Sequence, residues 1–370
     1  MIALPIAQHK TSLLTHSRMT CAKQCMRKHY FRYEVGLQRD TKSQPLRMGQ
    51  WFHYGLERVD LGDDLDDVCD MIRAEYAITP SWADSHEWAT ECEKVIRLLA
   101  AHVWRWSEDR CEVVATEQAF ILPLANPDTG ASSRTFKVAG KIDRIVKLPD
   151  GRLAVQEYKT CGVDITPGSD YWMRLRIDQQ ISMYMLAARR LGHDVQTVIY
   201  DVTRKPATRP HTIPAPDADG VKIVLDADNE RVKNANGKWK QSASAADGHR
   251  LVTRNESPRE YGDRLTADIG DRPEYYFQRQ EIPRLDADLA EFESELWQIG
   301  QMIRDAQRHG RHFRNTSACL SPYRCEYFTI CSESATPDPA TGVPAGYAID
   351  TNVHPELEID DDGNSSTETL

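Results

Sequence analysis

Two cysteine-bearing segments almost three hundred residues apart constrain this chain more than any other feature. Cys25-Met26-Arg27-Lys28-His29-Tyr30-Phe31-Arg32-Tyr33 stands near the start, and Cys319, Cys325 and Cys331 follow one another at five-residue gaps near the end. Between them lie Asp143 and the run Glu157-Tyr158-Lys159. One cysteine before an acidic hairpin and three after it suggest a metal cluster that joins the two ends and leaves the middle free for chemistry. Nine cysteines without an export signal point to a reducing compartment, where thiols ligate metal more often than they pair.

A length of 370 residues allows one large domain or two smaller ones. No apolar run approaches the roughly 18–20 residues of a membrane span. The first residues lack the basic start and long apolar stretch of a signal peptide. Both observations predict a cytoplasmic protein with no membrane partner. A net charge of −10 argues against nucleic-acid binding until its distribution is read. From Ser332 onward there are nine acids and no Lys or Arg, so the tail carries −9 and residues 1–331 sum to −1. Ser17–Arg47 holds eight bases against two acids. A local basic surface matters more for backbone binding than global charge.

Apolar spacing predicts helices over Ser17–Tyr33, Leu46–Val59 and on to about Ser107, then again over Trp172–Leu191 and Leu285–His309. Strand signals fill residues 111–160, Val195–Val202 and Tyr275–Ile282. Residues 203–265, rich in Pro, Asp, Asn, Lys and Ser, read as an insertion, part mobile loop and part hairpin around Val221–Leu225. No internal repeat is evident. The expected organisation is one domain over residues 1–331 and an acidic disordered tail over 332–370.

The turn Leu148-Pro149-Asp150-Gly151-Arg152 is the most readable local signal. Pro suits the second position of a type I turn and Gly the left-handed position, giving a three-residue loop with a bulge. Leu148 then faces Arg152, and facing residues have numbers summing to 300. Asp143 and Glu157 are such a pair, at the roughly 4.5–5.5 Å of cross-strand neighbours. Lys159 projects from the same face as Glu157. Two opposed carboxylates repel unless a cation compensates, so the pair is a candidate divalent-metal site, and hard oxygen ligands suit Mg²⁺ or Mn²⁺. Taken alone, a Glu-x-Lys pair is equally at home on a solvent-exposed strand.

Neighbouring motifs shift that balance. Gly140-Lys141-Ile142-Asp143 with Glu157-Tyr158-Lys159 resembles the PD-(D/E)XK nuclease superfamily. Gln180-Ile181-Ser182-Met183-Tyr184 is similar to the Gln-x-x-x-Tyr motif of its RecB-type branch, and residues four apart share a helix face. Met48-Gly49-Gln50-Trp51-Phe52-His53 resembles the Gly-x-x-x-His helix of the same branch. The resemblance implies an α/β, restriction-endonuclease-like fold: a mixed central sheet flanked by helices, with the chain ends joined by a metal cluster. It implies Asp143, Glu157, Lys159, Gln180 and Tyr184 as catalytic residues. His53, Asp143, Glu157 and the Tyr158 carbonyl would hold Mg²⁺ or Mn²⁺. Glu117 occupies a place where relatives often carry an acid, although a surface role suits a strand glutamate better.

The Cys25–Tyr33 run, followed by Gly36-Leu37, resembles the N-terminal segment of iron–sulfur nucleases, among them cluster-bearing CRISPR-associated exonucleases and AddB-type subunits. By that resemblance Cys25, Cys319, Cys325 and Cys331 would ligate a [4Fe-4S] cluster, whose need for four thiolates they match. Relatives commonly space the last three as Cys-x2-Cys-x5-Cys, whereas here both gaps hold five residues. Cys21 competes with Cys25 for the N-terminal place; the basic aromatic run directly after Cys25 favours Cys25. Zn²⁺ is the alternative metal.

The expected function is metal-dependent hydrolysis of DNA, by exonuclease action on ends or single strands, in recombination, repair, phage or CRISPR-related processing. A helicase or recombination partner would supply any unwinding. Arg27, Lys28, Arg32 and Arg47 would contact phosphates, and Tyr30, Phe31 and Tyr33 either stack on bases or pack within a helix. The competing readings are a non-catalytic DNA-end-binding or interaction module and a zinc-stabilised structural protein.

Overall fold

The structure, a computed structural model, describes residues 12–41, 43–333 and 342–357. Among them a six-stranded mixed sheet is built around β4 (Ser132–Lys147). One edge of β4 carries β3 (Glu112–Ala125), antiparallel along its length. The other edge is shared. Its first half pairs with β1 (Leu13–Leu14) at Lys137 and Val138, and its second half pairs with β5 (Leu153–Cys161) from Arg144 to Lys147. Residues 139–143 are therefore unpaired on that edge. β5 lies parallel to β6 (Val195–Arg204), which lies antiparallel to β11 (Phe277–Pro283). Two short elements lie between β5 and β6: α6 (Asp170–Arg174) and α7 (Gln179–Arg190).

Helices cover both faces of the sheet. On one face α1 (His16–Gln24), α7 and α10 (Asp286–His309) bury Met19, Met185, Phe292 and Ile303 against Val155, Val198 and Val202. On the other α3 (Gln44–Asp60), α4 (Leu65–Glu75), α5 (Ser85–Arg105) and α8 (Pro258–Asp271) enclose Tyr158 and Phe277. Their termini follow capping chemistry. The Asp84 and Asp178 carboxylates accept first-turn N–H groups of α5 and α7, Ser257 and Glu260 form a reciprocal box on α8, and α10 ends at Gly310 with φ +59°. Among the described residues no helix is long and apolar enough to cross a membrane.

The second face is pinned by a buried charge. Asp201 of β6 is fully covered and sits within 3.2 Å of His102 Nε2 from α5. Arg279 of β11 donates to it through Nε at 3.0 Å and through its terminal nitrogen at 2.6 Å, and Gln156 Nε2 lies 3.4 Å away. Burial alone would raise the Asp201 pKa, but His102 and Arg279 outweigh it and depress it to about 2.

Three expectations need correction. The predicted helix over Ser17–Tyr33 is broken at Cys25, which is extended (φ −167°, ψ 118°). The chain resumes as α2 (Met26–His29) and a π-helical turn over Tyr30–Glu34. The break lets the Arg27 N–H, unpartnered in a first helical turn, donate to Phe313 O at 3.0 Å.

The insertion, expected over 203–265, gives way to α8 at Pro258 and contains a repeat. Asp217, Asp226 and Asn234 each accept, through Oδ1, the N–H groups two and four residues onward at 2.8–3.0 Å. Each turn places one residue at positive φ: Gly220, Asn229 and Gly237. The turns recur at nine and then eight residues, and Val232 N–H donates to Val224 O and Lys240 N–H to Val232 O, stitching the later ones at an eight-residue step. The step is short and mixes Asp with Asn and Gly with Asn, which hides it in the sequence.

The tail does not remain disordered from 332 onward. β12 (Tyr347–Ile349) pairs antiparallel with β2 (Leu37–Arg39), and Val353 and His354 are buried. A Cβ on Gly36, which has φ +75°, would stand 2.4 Å from Asp350 O, so only glycine admits this crossing. A few apolar residues among acids and glycines suffice because their partners lie at the opposite end of the chain. Asp338, Asp360–Asp362 and Glu368 lie outside the described residues.

Candidate active site

The hairpin register holds as read. Leu148 N–H donates to Arg152 O and Gly151 N–H to Leu148 O, both at 2.8 Å, with Gly151 at φ +89°. The ladder runs up from Lys147↔Leu153 and stops at Arg144↔Gln156. One residue beyond, the strands part. The Asp143 carboxylate, not a backbone carbonyl, accepts the Tyr158 N–H at 2.8 Å. A side chain replacing a ladder bond satisfies the freed N–H and opens a cleft between Asp143 and Glu157.

Glu157 is 2% exposed. Its Oε1 accepts from Gln180 Nε2 at 3.0 Å and contacts the Lys159 ammonium, while Oε2 is buried with no hydrogen-bond partner among the described residues. Gln180 Nε2 also reaches Tyr184 OH at 3.0 Å, as their four-residue spacing on α7 requires. The Tyr158 side chain turns to the opposite face, donating to Asp60 Oδ2 at 3.2 Å and accepting from Arg144 at 2.5 Å. Asp143, Glu157, Lys159, Gln180 and Tyr184 thus converge.

α3 brings His53 to the same place, where Asp143 and Lys159 both act on its charge. A Cβ on Gly49, one turn earlier, would lie 3.2 Å from Thr160 Oγ1 at the end of β5. The motif glycine therefore sits where the helix approaches the strand closely. Glu117 departs from its expected surface role. It lies on β3 between Thr116↔Arg144 and Gln118↔Ile142, level with Asp143, and adopts φ +52°. A non-glycine residue there stores strain of about 1–3 kcal/mol. Its carboxylate pairs with Lys141, whose ammonium also lies 3.5 Å from Glu57 of α3. The signal in the sequence was alignment with Asp143 across β3 and β4, legible only once the long strand pair is in register.

The electrostatics follow from burial and crowding. Burial, then the Asp143 charge, pushes Glu157 up to about 8, and the same two causes in the same order push Glu117 up to about 8. Burial lowers His53 to about 4, which keeps the imidazole neutral. Burial opposes the Lys159 ammonium, but Glu157 and Asp143 outweigh it and raise its pKa. Burial also raises Tyr184 well above the phenolic range.

Among the described residues, no three His, Cys, Asp or Glu side chains are gathered closely enough to hold a metal ion as placed. The donor chemistry nonetheless fits a hard divalent cation: two carboxylates face one cleft, one with an unpartnered buried oxygen, beside a neutral imidazole.

Cys25, Cys319 and Cys331 each touch the segment 313–315. Asn315 N–H donates to Cys25 Sγ at 3.4 Å, Cys319 Sγ lies 3.7 Å from Asn315 O, and Arg314 Nε donates to Cys331 Sγ at 3.1 Å. Cys325 N–H donates to Cys319 O at 2.8 Å. Cys21 instead packs with Tyr33 and Val353, and burial pushes its thiol up to about 12. Three of the four thiols thus border one segment, one of them facing a guanidinium, and thiolates are the donors that a four-cysteine site would use.

The basic residues are largely occupied within the fold. Arg47 forms a two-pronged pair with Glu91 at 3.1 and 2.8 Å, and its guanidinium lies 5.0 Å from the Trp82 and Trp88 rings. Lys28 bonds Gln24 at 3.1 Å, Arg27 lies 6.0 Å from the Phe31 ring, and Arg32 lies 5.6 Å from the Tyr33 ring. Phe31 and Tyr33 are buried, which removes them as base-stacking platforms.

A mixed sheet with helices on both faces, carrying Asp143, Glu157 and Lys159 where its hairpin parts, is the frame on which the comparisons bear. The family model of the PD-(D/E)XK nuclease superfamily matches residues 13–332, and the chain belongs to that superfamily. Two solved structures are similar. One, named "Putative exonuclease", from Eubacterium rectale, is 9% identical over 90% of this chain and 99% of its own, with a TM-score of 0.41. The other, SSO0001, is 10% identical over 81% and 79%, with a TM-score of 0.28. No curated protein matches the chain.

Proposed function

We propose that this chain is a metal-dependent DNA nuclease of the RecB-type branch, acting as an exonuclease. The observation that carries the reading is that Asp143 and Glu157 stand where their ladder ends and the strands part, with Glu157 Oε2 buried and without a hydrogen-bond partner among the described residues. Asp143, Glu157, the Tyr158 carbonyl and neutral His53 would hold Mg²⁺ or Mn²⁺. The bound cation would supply an acidified water and neutralise charge on a phosphoryl oxygen. Lys159, kept charged by the two carboxylates, orients the attacking water and offsets developing negative charge. Gln180, tied to Tyr184, fixes the Glu157 rotamer. Labelled linear DNA should be digested by the wild type with Mg²⁺ or Mn²⁺, not with EDTA, and not by Asp143→Ala. Equal digestion by both proteins would remove this site.

Cys25, Cys319, Cys325 and Cys331 would hold a [4Fe-4S] cluster that is structural, since ligands so far apart close a long loop. Protein purified without oxygen should be brown, with about four iron and four sulfide per chain. Cys25→Ser and Cys331→Ser should be colourless and melt earlier. A colourless wild type with stoichiometric zinc would replace the cluster with a zinc site.

A further inference from the structure

The repeat-bearing insertion from Thr212 to Asn255 is an arm that the acidic cleft does not use. Its root lies at the rim of that cleft. Val202 of β6 is level with Lys159, and β6 ends two residues later. Lys205 then donates from its backbone to Cys161 O and from its ammonium to Pro45 O, both at 2.7 Å. The return strand is fixed where Glu256 accepts the His211 N–H at 2.8 Å and pairs with Arg264 at 2.7 Å.

The arm is stiff for its size, because each side-chain-capped turn nucleates itself and is bonded to the next. Its charge is divided: residues 212–230 carry five acids and one Lys, and the half that follows is basic. From Arg231 to Arg254 there are six Lys or Arg and a single acid, Asp247. Asp247 is engaged by Lys240 at 3.4 Å, and Asp217 by Arg231 at 2.5 Å. Lys222, Lys233 and Lys238 have no acidic partner among the described residues, and all three are exposed. The eight-residue step sets Arg231 beside Trp239, its guanidinium 4.3 Å from the ring centroid, with the Lys233 ammonium at 4.6 Å. Trp239 as a residue is 38% exposed. A large aromatic held among cations at an exposed tip matches the chemistry of an unpaired base flanked by phosphates.

We propose that this arm grips single-stranded DNA beside the acidic cleft, with Trp239 stacking on a base and Lys222, Lys233 and Lys238 meeting phosphates. A single strand is specified because bases within a duplex offer no free face to a ring. The nuclease reading supplies the substrate, but the test needs no cleavage. In an Asp143→Ala background with EDTA, binding of a fluorescein-labelled oligothymidine is followed by anisotropy. Trp239→Ala should weaken it about tenfold, and Trp239→Phe should restore most of the loss. Lys233→Gln with Lys238→Gln should flatten the salt dependence by roughly 1.4, the slope of two phosphate contacts to a single strand. The proposal is overturned if the Ala and Gln variants both bind within twofold of the parent, or if Trp239→Ala weakens a blunt duplex of equal length as much as the single strand. Failure of the nuclease reading looks different: the wild type would bind the oligonucleotide and leave it uncut with Mg²⁺ or Mn²⁺.

Discussion

Glu157→Gln is expected to lower metal-dependent cleavage on the order of 10³-fold and, in EDTA, to make the protein more stable than the wild type. The same crowding accounts for both effects. Burial and Asp143 raise the Glu157 pKa to about 8, so its carboxylate form is disfavoured in the folded chain. A carboxylate with a raised folded pKa binds protons more readily folded than unfolded. Its contribution is therefore fullest at acidic pH and is lost as pH rises from its unfolded value through about 8. In EDTA the wild-type Tm should fall across that window more steeply than that of Glu157→Gln. Glu117, raised by the same causes, leaves a residual slope in both proteins. At neutral pH the variant should melt roughly 2–4 °C higher, the shift that about 1 kcal/mol gives in a large domain. Mg²⁺ should raise the Tm of the wild type and leave the variant nearly unmoved. A variant less stable than the wild type in EDTA, with an unchanged pH slope, would show that the glutamate is structural.

Asp201→Asn should have the opposite profile, a large loss of stability with chemistry retained in the molecules that remain folded. Asp201 is fully buried and holds α5, β6 and β11 together through His102 and Arg279. Breaking a buried pair by removing one partner costs about 3–5 kcal/mol. The lower end applies here because Arg279 keeps a second ion pair with Asp109. The Asp201 pKa is depressed, so its stabilisation is present above the ordinary carboxylate range and is lost as pH falls toward about 2. Urea unfolding at neutral pH measures the cost, and a loss under 1 kcal/mol would mean that Arg279 and His102 find other partners. Cleavage should survive because Asp201 faces away from the cleft.

These two acids mark what the sequence makes legible. The Pro149-Asp150-Gly151 turn sets the register by local chemistry, so the ladder up to Arg144↔Gln156 follows by counting, and the nearness of Gln180 to Tyr184 follows from helical spacing. Glu117 needs the long pairing of β3 with β4, which no local turn announces. Asp201 sits in an apolar strand, and its partners lie 99 and 78 residues away. The break at Cys25 is equally nonlocal: helical residues on both sides predict continuity, and the Phe313–Asn315 segment supplies the reason to stop. The folding-back of 342–357 depends on β2, from the other end of the chain.

That last pairing carries a consequence for synthesis. Leu37 O accepts the Tyr327 OH from 290 residues away, and Thr15 lies 3.5 Å from His354, 339 residues away. As the chain leaves the ribosome, Thr15 and Leu37 meet these two partners only when nearly all the rest has emerged. The sheet around β4 and β5 can assemble first. A segment translated well before these partners is thus completed late, and until then its apolar side and the Cys25 thiol stay exposed.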